Sequence, residues 1–167
     1  MYCDKIDSKK RRSSILFLNT LLEILLKWFA PILSFTTEEI YSLIQKNDKS
    51  IHLENFPSIP LKWKNSKLEA KWIELIKIRE VCNSSIEIKR ASKEIGSSLE
   101  ANLIINLDDK LIELTKEVDL AELCITSKAT IKKNNSKEIN VETLKAEGKK
   151  CPVCWKINKD KCERHSP

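Results

Sequence analysis

Residues 8–33 constrain this chain most. Ser8 is placed to cap a helix, and Leu18, Leu21, Leu25, Trp28 and Ile32 then recur three or four apart. Leu22, Leu26 and Phe29 widen that stripe until the helix is apolar round most of its circumference, which predicts a place in the middle of a helical bundle. A membrane span is the competing explanation for such a stretch. Glu23 and Lys27 argue against it, since each charge costs about 2.5–3.5 kcal/mol at a bilayer centre, and Pro31 kinks the end. Spaced i,i+4, the two charges instead mark a solvent-facing edge.

Further helices are expected downstream. Thr36-Thr37-Glu38-Glu39 reads as a capping box for a helix through Ile40, Leu43 and Ile44. Residues 46–66, with Pro57 and Pro60, read as a loop holding a short extended piece from Ser50 to Phe56. A long helix follows near residues 66–93, with Leu68, Trp72, Leu75, Ile78, Cys82 and Ile86 on one stripe. Three antiparallel helices of this kind make a bundle core.

After Gly96 the period changes. Residues 99–107 read as a strand, 108–116 as a short helix, and 123–132 and 139–144 as strands, with Asn134-Asn135-Ser136 turning between the last two. Only two glycines occur in 167 residues, which disfavours an all-β fold and excludes glycine-rich phosphate loops. The expected fold class is therefore mainly α: an antiparallel helical bundle over residues 1–95, a small α+β unit over 96–146, and a knuckle over 147–167.

The knuckle carries the chemistry. Cys151-x-x-Cys154 is followed by Cys162-x-x-His165, two pairs of soft ligands at the spacing that lets one turn aim both side chains of a pair at one ion. The reading is one structural Zn2+ held by Cys151, Cys154, Cys162 and His165. With all four ligands from protein, no position is left for a catalytic water. No secretory signal opens the chain, so a reducing, cytoplasmic setting is expected, with Cys3, Cys82 and Cys124 as packing residues.

Trp155 directly follows the second ligand, and Lys149, Lys150, Lys156, Lys159, Lys161 and Arg164 surround it. An indole face accepts an unstacked base, worth about 1–3 kcal/mol, and the cations meet phosphates. This points to a nucleic-acid contact, RNA in preference; the alternative is that Trp155 covers the apolar side of the metal site. Charge placement favours the first. Residues 127–167 hold 11 Lys and Arg against 5 Asp and Glu, a surplus of six, and the whole chain is also +6. The remaining residues balance, so the basic excess sits entirely at this end and would draw a polyanion there.

These residues carry a resemblance. Tyr2-Cys3-Asp4, Arg11-Arg12, the run Leu26-Lys27-Trp28-Phe29-Ala30-Pro31-Ile32-Leu33-Ser34-Phe35-Thr36 and Glu38-Glu39-Ile40 resemble the helical anticodon-binding domain of the class I synthetases for isoleucine, valine, leucine and methionine. Lys77-x-Arg79-x-Val81 with Asn83, Ile86-Glu87 and Arg90, the run Ile95-Gly96-Ser97-Ser98-Leu99-Glu100-Ala101, and Glu147-Gly148-Lys149-Lys150-Cys151-Pro152-x-Cys154-Trp155 are similar to the isoleucine branch in particular. The resemblance covers the whole chain. It departs from the family pattern at the last ligand pair, Cys162-x-x-His165, where the family usually has a second Cys-x-x-Cys.

The resemblance implies the C-terminal part of an isoleucyl-tRNA synthetase, with isoleucine tRNA as partner and no membrane association. It also implies that Trp155 stacks on an anticodon-loop base, that Lys149, Lys150, Lys156 and Arg164 meet phosphates, and that Arg11, Arg12, Arg79 and Arg90 face the anticodon stem. Motifs for amino-acid activation and an editing domain are not found, and His52 has no serine or cysteine partner nearby, so no catalytic residue is expected. The chain is then one part of an aminoacyl-tRNA ligase whose catalytic part is on another chain, or the product of an incomplete frame, or a remnant. A stand-alone RNA-binding module is the alternative class; a DNA-repair glycosylase tail with its similar zinc finger fits less well, because Tyr2 stands where those enzymes carry a catalytic proline.

Overall fold

The computed structural model describes residues 3–45, 49–134, 136, 138–160 and 162. The chain divides into two compact units, residues 1–64 and 65–167.

In the first unit, α1 (Lys9–Phe29) begins as expected, with the Ser8 hydroxyl accepting from the Arg11 amide at 3.1 Å. It ends at Ala30, one residue before Pro31, whose ring nitrogen has no hydrogen to continue the ladder. The next helix, α2 (Ser34–Ile44), starts earlier than the capping box predicts and has no side-chain cap. The residues of that box do other work: the Thr37 hydroxyl donates back to the Leu33 carbonyl at 2.9 Å, and Glu38 accepts from the Ser50 hydroxyl at 2.9 Å and the Ile51 amide at 3.0 Å. Those two bonds wind residues Ile51–Leu53 into a single 3-10 turn where an extended piece was expected.

A small core of Leu26, Ala30, Tyr41 and Ile51 holds this unit together. Beside it Lys27 and Glu54 pair at 3.0 Å. The Lys27 ammonium holds the Glu54 carboxyl below its ordinary range, while burial, with Glu54 beside it, raises the Tyr41 phenol. Leu26 is the one fully buried residue of α1, whereas Leu16 and Phe17 are 70% and 66% exposed. The apolar circumference is real, but α2 and one 3-10 turn can cover only a narrow arc of it. No helix among the described residues is long and apolar enough to cross a membrane.

The second unit is built on α3 (Ser66–Ala91), capped by Asn65, whose side chain accepts from the Leu68 amide. Its stripe of Leu75, Ile78, Cys82 and Ile86 is buried, and it joins the core of a sheet. In that sheet β1 (Ala101–Leu107) lies between β2 (Lys128–Lys133), parallel to it, and β3 (Asn140–Lys145), antiparallel. A parallel pair needs a crossover, and α4 (Asp109–Thr115) and α5 (Leu120–Leu123) provide it. Asp108 and Asp119 cap them through their carboxylates. The strand expected from residue 123 thus starts at Lys128: Asp119 commits residues 120–123 to a helical turn, and Ile125, at φ 55°, ends it.

Asn134 and Ser136 do form a turn, with the Ser136 amide on Asn134 Oδ1 at 3.1 Å. It joins two strands that flank β1 and do not pair with each other. β1 alternates strictly: Ala101, Leu103, Ile105 and Leu107 are fully buried, and Asn102, Ile104 and Asn106 face the other way. Cys82 and Cys124 lie in the core, and the Cys82 thiol, hydrogen-bonded to Cys124 and shut from water, is pushed above the ordinary thiol range.

Candidate functional site

The cysteine knuckle grows from a two-stranded hairpin, β4 (Lys149–Lys150) against β5 (Ile157–Asn158). Gly148 enters it at φ 132°, and a Cβ there would lie 2.3 Å from the Asn158 carbonyl oxygen, so only glycine lets the two backbones approach. The Cys151 amide bonds to the Lys156 carbonyl at 2.9 Å, closing the loop. Inside it Trp155 adopts φ 63°, which turns its amide back onto the Cys151 carbonyl at 3.0 Å.

This folding brings three of the expected ligands together. The sulfurs of Cys151, Cys154 and Cys162 all lie within 4.8 Å of one another, Cys154 and Cys162 at 3.4 Å. A tetrahedral ion with bonds of about 2.3 Å to sulfur holds its ligands about 3.8 Å apart, so the donor set fits a metal of that kind. The Val153 amide donates to Cys151 Sγ at 3.4 Å, and such N–H groups stabilise a thiolate. The Cys154 amide first, and that of Val153 with it, hold the Cys151 thiol below its ordinary range, whereas burial pushes Cys154 up to about 11. A bound cation would reverse that second effect. His165 and Arg164 lie outside the described residues.

Trp155 is 59% exposed, and Lys150 Nζ sits 5.1 Å from the ring centroid, so indole and cation form one surface element. Lys149 is exposed beside them and Lys156 half-buried. The hairpin is tied to the sheet by Ser127, which sequence reasoning missed: its hydroxyl accepts from the Ile157 amide at 2.6 Å and donates to the Leu99 carbonyl. Nothing in the local pattern marks Ser127, because both partners are distant in sequence.

The arginines expected to face an anticodon stem are found within their own units. Arg11 donates to the Asp4 carbonyl at 3.1 Å and Arg12 pairs with Asp7 at 3.5 Å, both within the first unit. In the second unit Arg90 pairs with Glu87 at 2.7 Å along α3, and Arg79 is exposed on the same helix. The ion pairs of Arg12 and Arg90 are solvent-exposed and hold those side chains only weakly.

The chain is 63% identical over 166 residues to an isoleucine-tRNA ligase of Pelagibacter ubique, covering 99% of this chain and 18% of that protein. It is 39% identical over 171 residues to the isoleucine-tRNA ligase of Agrobacterium fabrum, covering 96% and 18%, and 40% identical over 158 residues to that of Methylacidiphilum infernorum, covering 95% and 17%. The chain thus spans under a fifth of the length of the curated relatives it matches. The family described as the anticodon-binding domain of tRNA ligase matches residues 1–105. With that match running over more than half of its 167 residues, this chain belongs to the anticodon-binding domain family of tRNA ligases.

Proposed function

We propose that this chain is the tRNA-binding part of an isoleucine-tRNA ligase and recognises the anticodon region of isoleucine tRNA in the cytoplasm. Amino-acid activation is assigned to other parts of the longer enzyme. The observation that carries the reading is the exposed Trp155 ring with Lys150 over it, displayed on a knuckle of three converging cysteines. In this reading one structural Zn2+ binds Cys151, Cys154, Cys162 and His165, and its role is to hold that loop rigid. Trp155 stacks on an unpaired base, Lys149, Lys150, Lys156 and Arg164 contact phosphates, and Arg11, Arg12, Arg79 and Arg90 face the anticodon stem. The helical anticodon-binding region is taken as residues 1–95, the α+β unit as 96–146 and the knuckle as 147–167.

The test is an anisotropy titration of the zinc-loaded chain with isoleucine tRNA and a noncognate tRNA at two salt concentrations. Preference for the isoleucine tRNA that survives the higher salt supports an anticodon reader. Equal, weak binding to both that falls steeply with salt refutes specificity and leaves only a basic surface.

A further inference from the structure

One face of the small sheet is packed against α3; the opposite face is open and has an unusual makeup. Its central strand presents Asn102, Ile104 and Asn106 there, although asparagine is among the residues least suited to a strand. Across the register Lys128 and Lys132 stand beside Asn102 and Asn106. Asn102 Oδ1 is shielded from solvent with no hydrogen-bond partner, which is costly for an amide carbonyl. Asn102 also lines a cleft of about 740 Å³ between this face and the knuckle hairpin, shared with Ser127, Lys128, Lys145 and Lys159. That is on the scale of small-ligand sites, about 300–1,000 Å³. Lys159 is neutralised by Glu147 at 2.9 Å, whereas Lys128 and Lys145 have no acidic partner within ion-pair distance among the described residues. The Ser127 hydroxyl holds the two walls of the cleft together.

We propose that this cleft binds an unstacked nucleotide of the RNA, Asn102 reading a donor on the base or ribose and Lys128 and Lys145 meeting its phosphates. The inference rests on the RNA-binding reading above and adds a second contact to the one at Trp155. Oδ1 is shielded in the free protein, so the Asn102 side chain must turn toward the cleft to take a donor, which the exocyclic amines of adenine, cytosine and guanine, or the ribose 2′-hydroxyl, provide. Lys159 is paired with Glu147, and Asp160 lies on the same side of the cleft, so the phosphates are left to Lys128 and Lys145 on the sheet side.

Asn102→Val separates this role from a structural one. Valine suits a strand and removes the unsatisfied carbonyl, so the free protein should melt no lower than the wild type, while affinity for a labelled anticodon stem-loop of isoleucine tRNA falls about tenfold. Lys128→Ala, at an exposed position, should weaken binding and reduce the slope of log K against log salt by about one. A 4-thiouridine-bearing stem-loop should crosslink to peptides from β1 or β2. Wild-type affinity in both variants overturns the cleft site and, if Trp155→Ala still weakens binding, leaves the RNA-binding reading standing. A wild-type chain that binds no stem-loop overturns both.

Discussion

Replacing Gly148 by alanine should uncouple the metal knuckle from the rest of the second unit. An added Cβ would meet the Asn158 carbonyl oxygen at 2.3 Å, its carbon at 2.5 Å and the Lys159 nitrogen at 2.9 Å, all of them backbone atoms that cannot rotate aside. Real Cβ contacts do not fall below 3.0 Å, so β5 must retreat by at least about 0.7 Å. The hairpin pairs only Lys149 with Asn158 and Lys150 with Ile157, and such a shift loosens both. Losing one or two bonds at about 0.5–1.5 kcal/mol each, and holding alanine at φ 132°, at about 1–3 kcal/mol, gives roughly 1.5–6 kcal/mol against the closed hairpin. With the proposed zinc coupled to closure of the loop, the loss should appear in metal affinity, about 13-fold at the low end of that range. The assay is competition for zinc with a chromophoric chelator, with thermal melting followed in parallel. The main transition should hardly move, because the core of α3 and the sheet is untouched. Unchanged zinc affinity in Gly148→Ala would refute both the close approach of the strands and the coupling.

Trp155→Ala should weaken tRNA binding by the worth of one stacked base, about 1–3 kcal/mol, and by more than Lys149→Ala does; equal small losses in anisotropy titrations would sink the stacking role. Ile78→Ala, at a fully buried site of α3, should cost about 2–5 kcal/mol in urea unfolding. The Lys27–Glu54 pair should make the first unit pH-sensitive. Glu54 is held below its unfolded value, so the stabilisation is complete above the ordinary carboxylate range and is lost as pH falls through the lowered folded value. Denaturation of the wild type and Lys27→Met should differ at pH 7 and converge at strongly acidic pH. Withdrawing zinc with a chelator should abolish the part of RNA binding that depends on Trp155 and leave the salt-sensitive remainder, measured by the same titration.

Much of the local structure was legible because its causes are local. Ser8 caps α1, and the strands after Gly96 keep their places to within a few residues apart from the start of β2. Three of the four expected ligands, Cys151, Cys154 and Cys162, are brought together, since a two-residue gap restricts where the sulfurs of a pair can point. Misreadings came where a side chain had two possible partners. Glu38 lies inside the stretch read as a capping box and bonds instead to Ser50 and Ile51, a segment with no detectable period. Asp119 turned the start of an expected strand into a helical turn.

By itself, then, the sequence determined which faces are apolar, where helices can start, and that Cys151, Cys154 and Cys162 share one locus. Periodicity reports a face and says nothing of what will cover it. Only tertiary structure decided that the α3 stripe packs with β1 while α1 stays largely exposed within its own unit, and that β2 and β3 flank β1 instead of pairing. Trp155 faces outward under Lys150, and Asn102 borders a cleft whose other wall is about 55 residues further along the chain. Those outcomes depend on contacts between residues far apart in sequence, each too weak to leave a local pattern and settled together when the core closes.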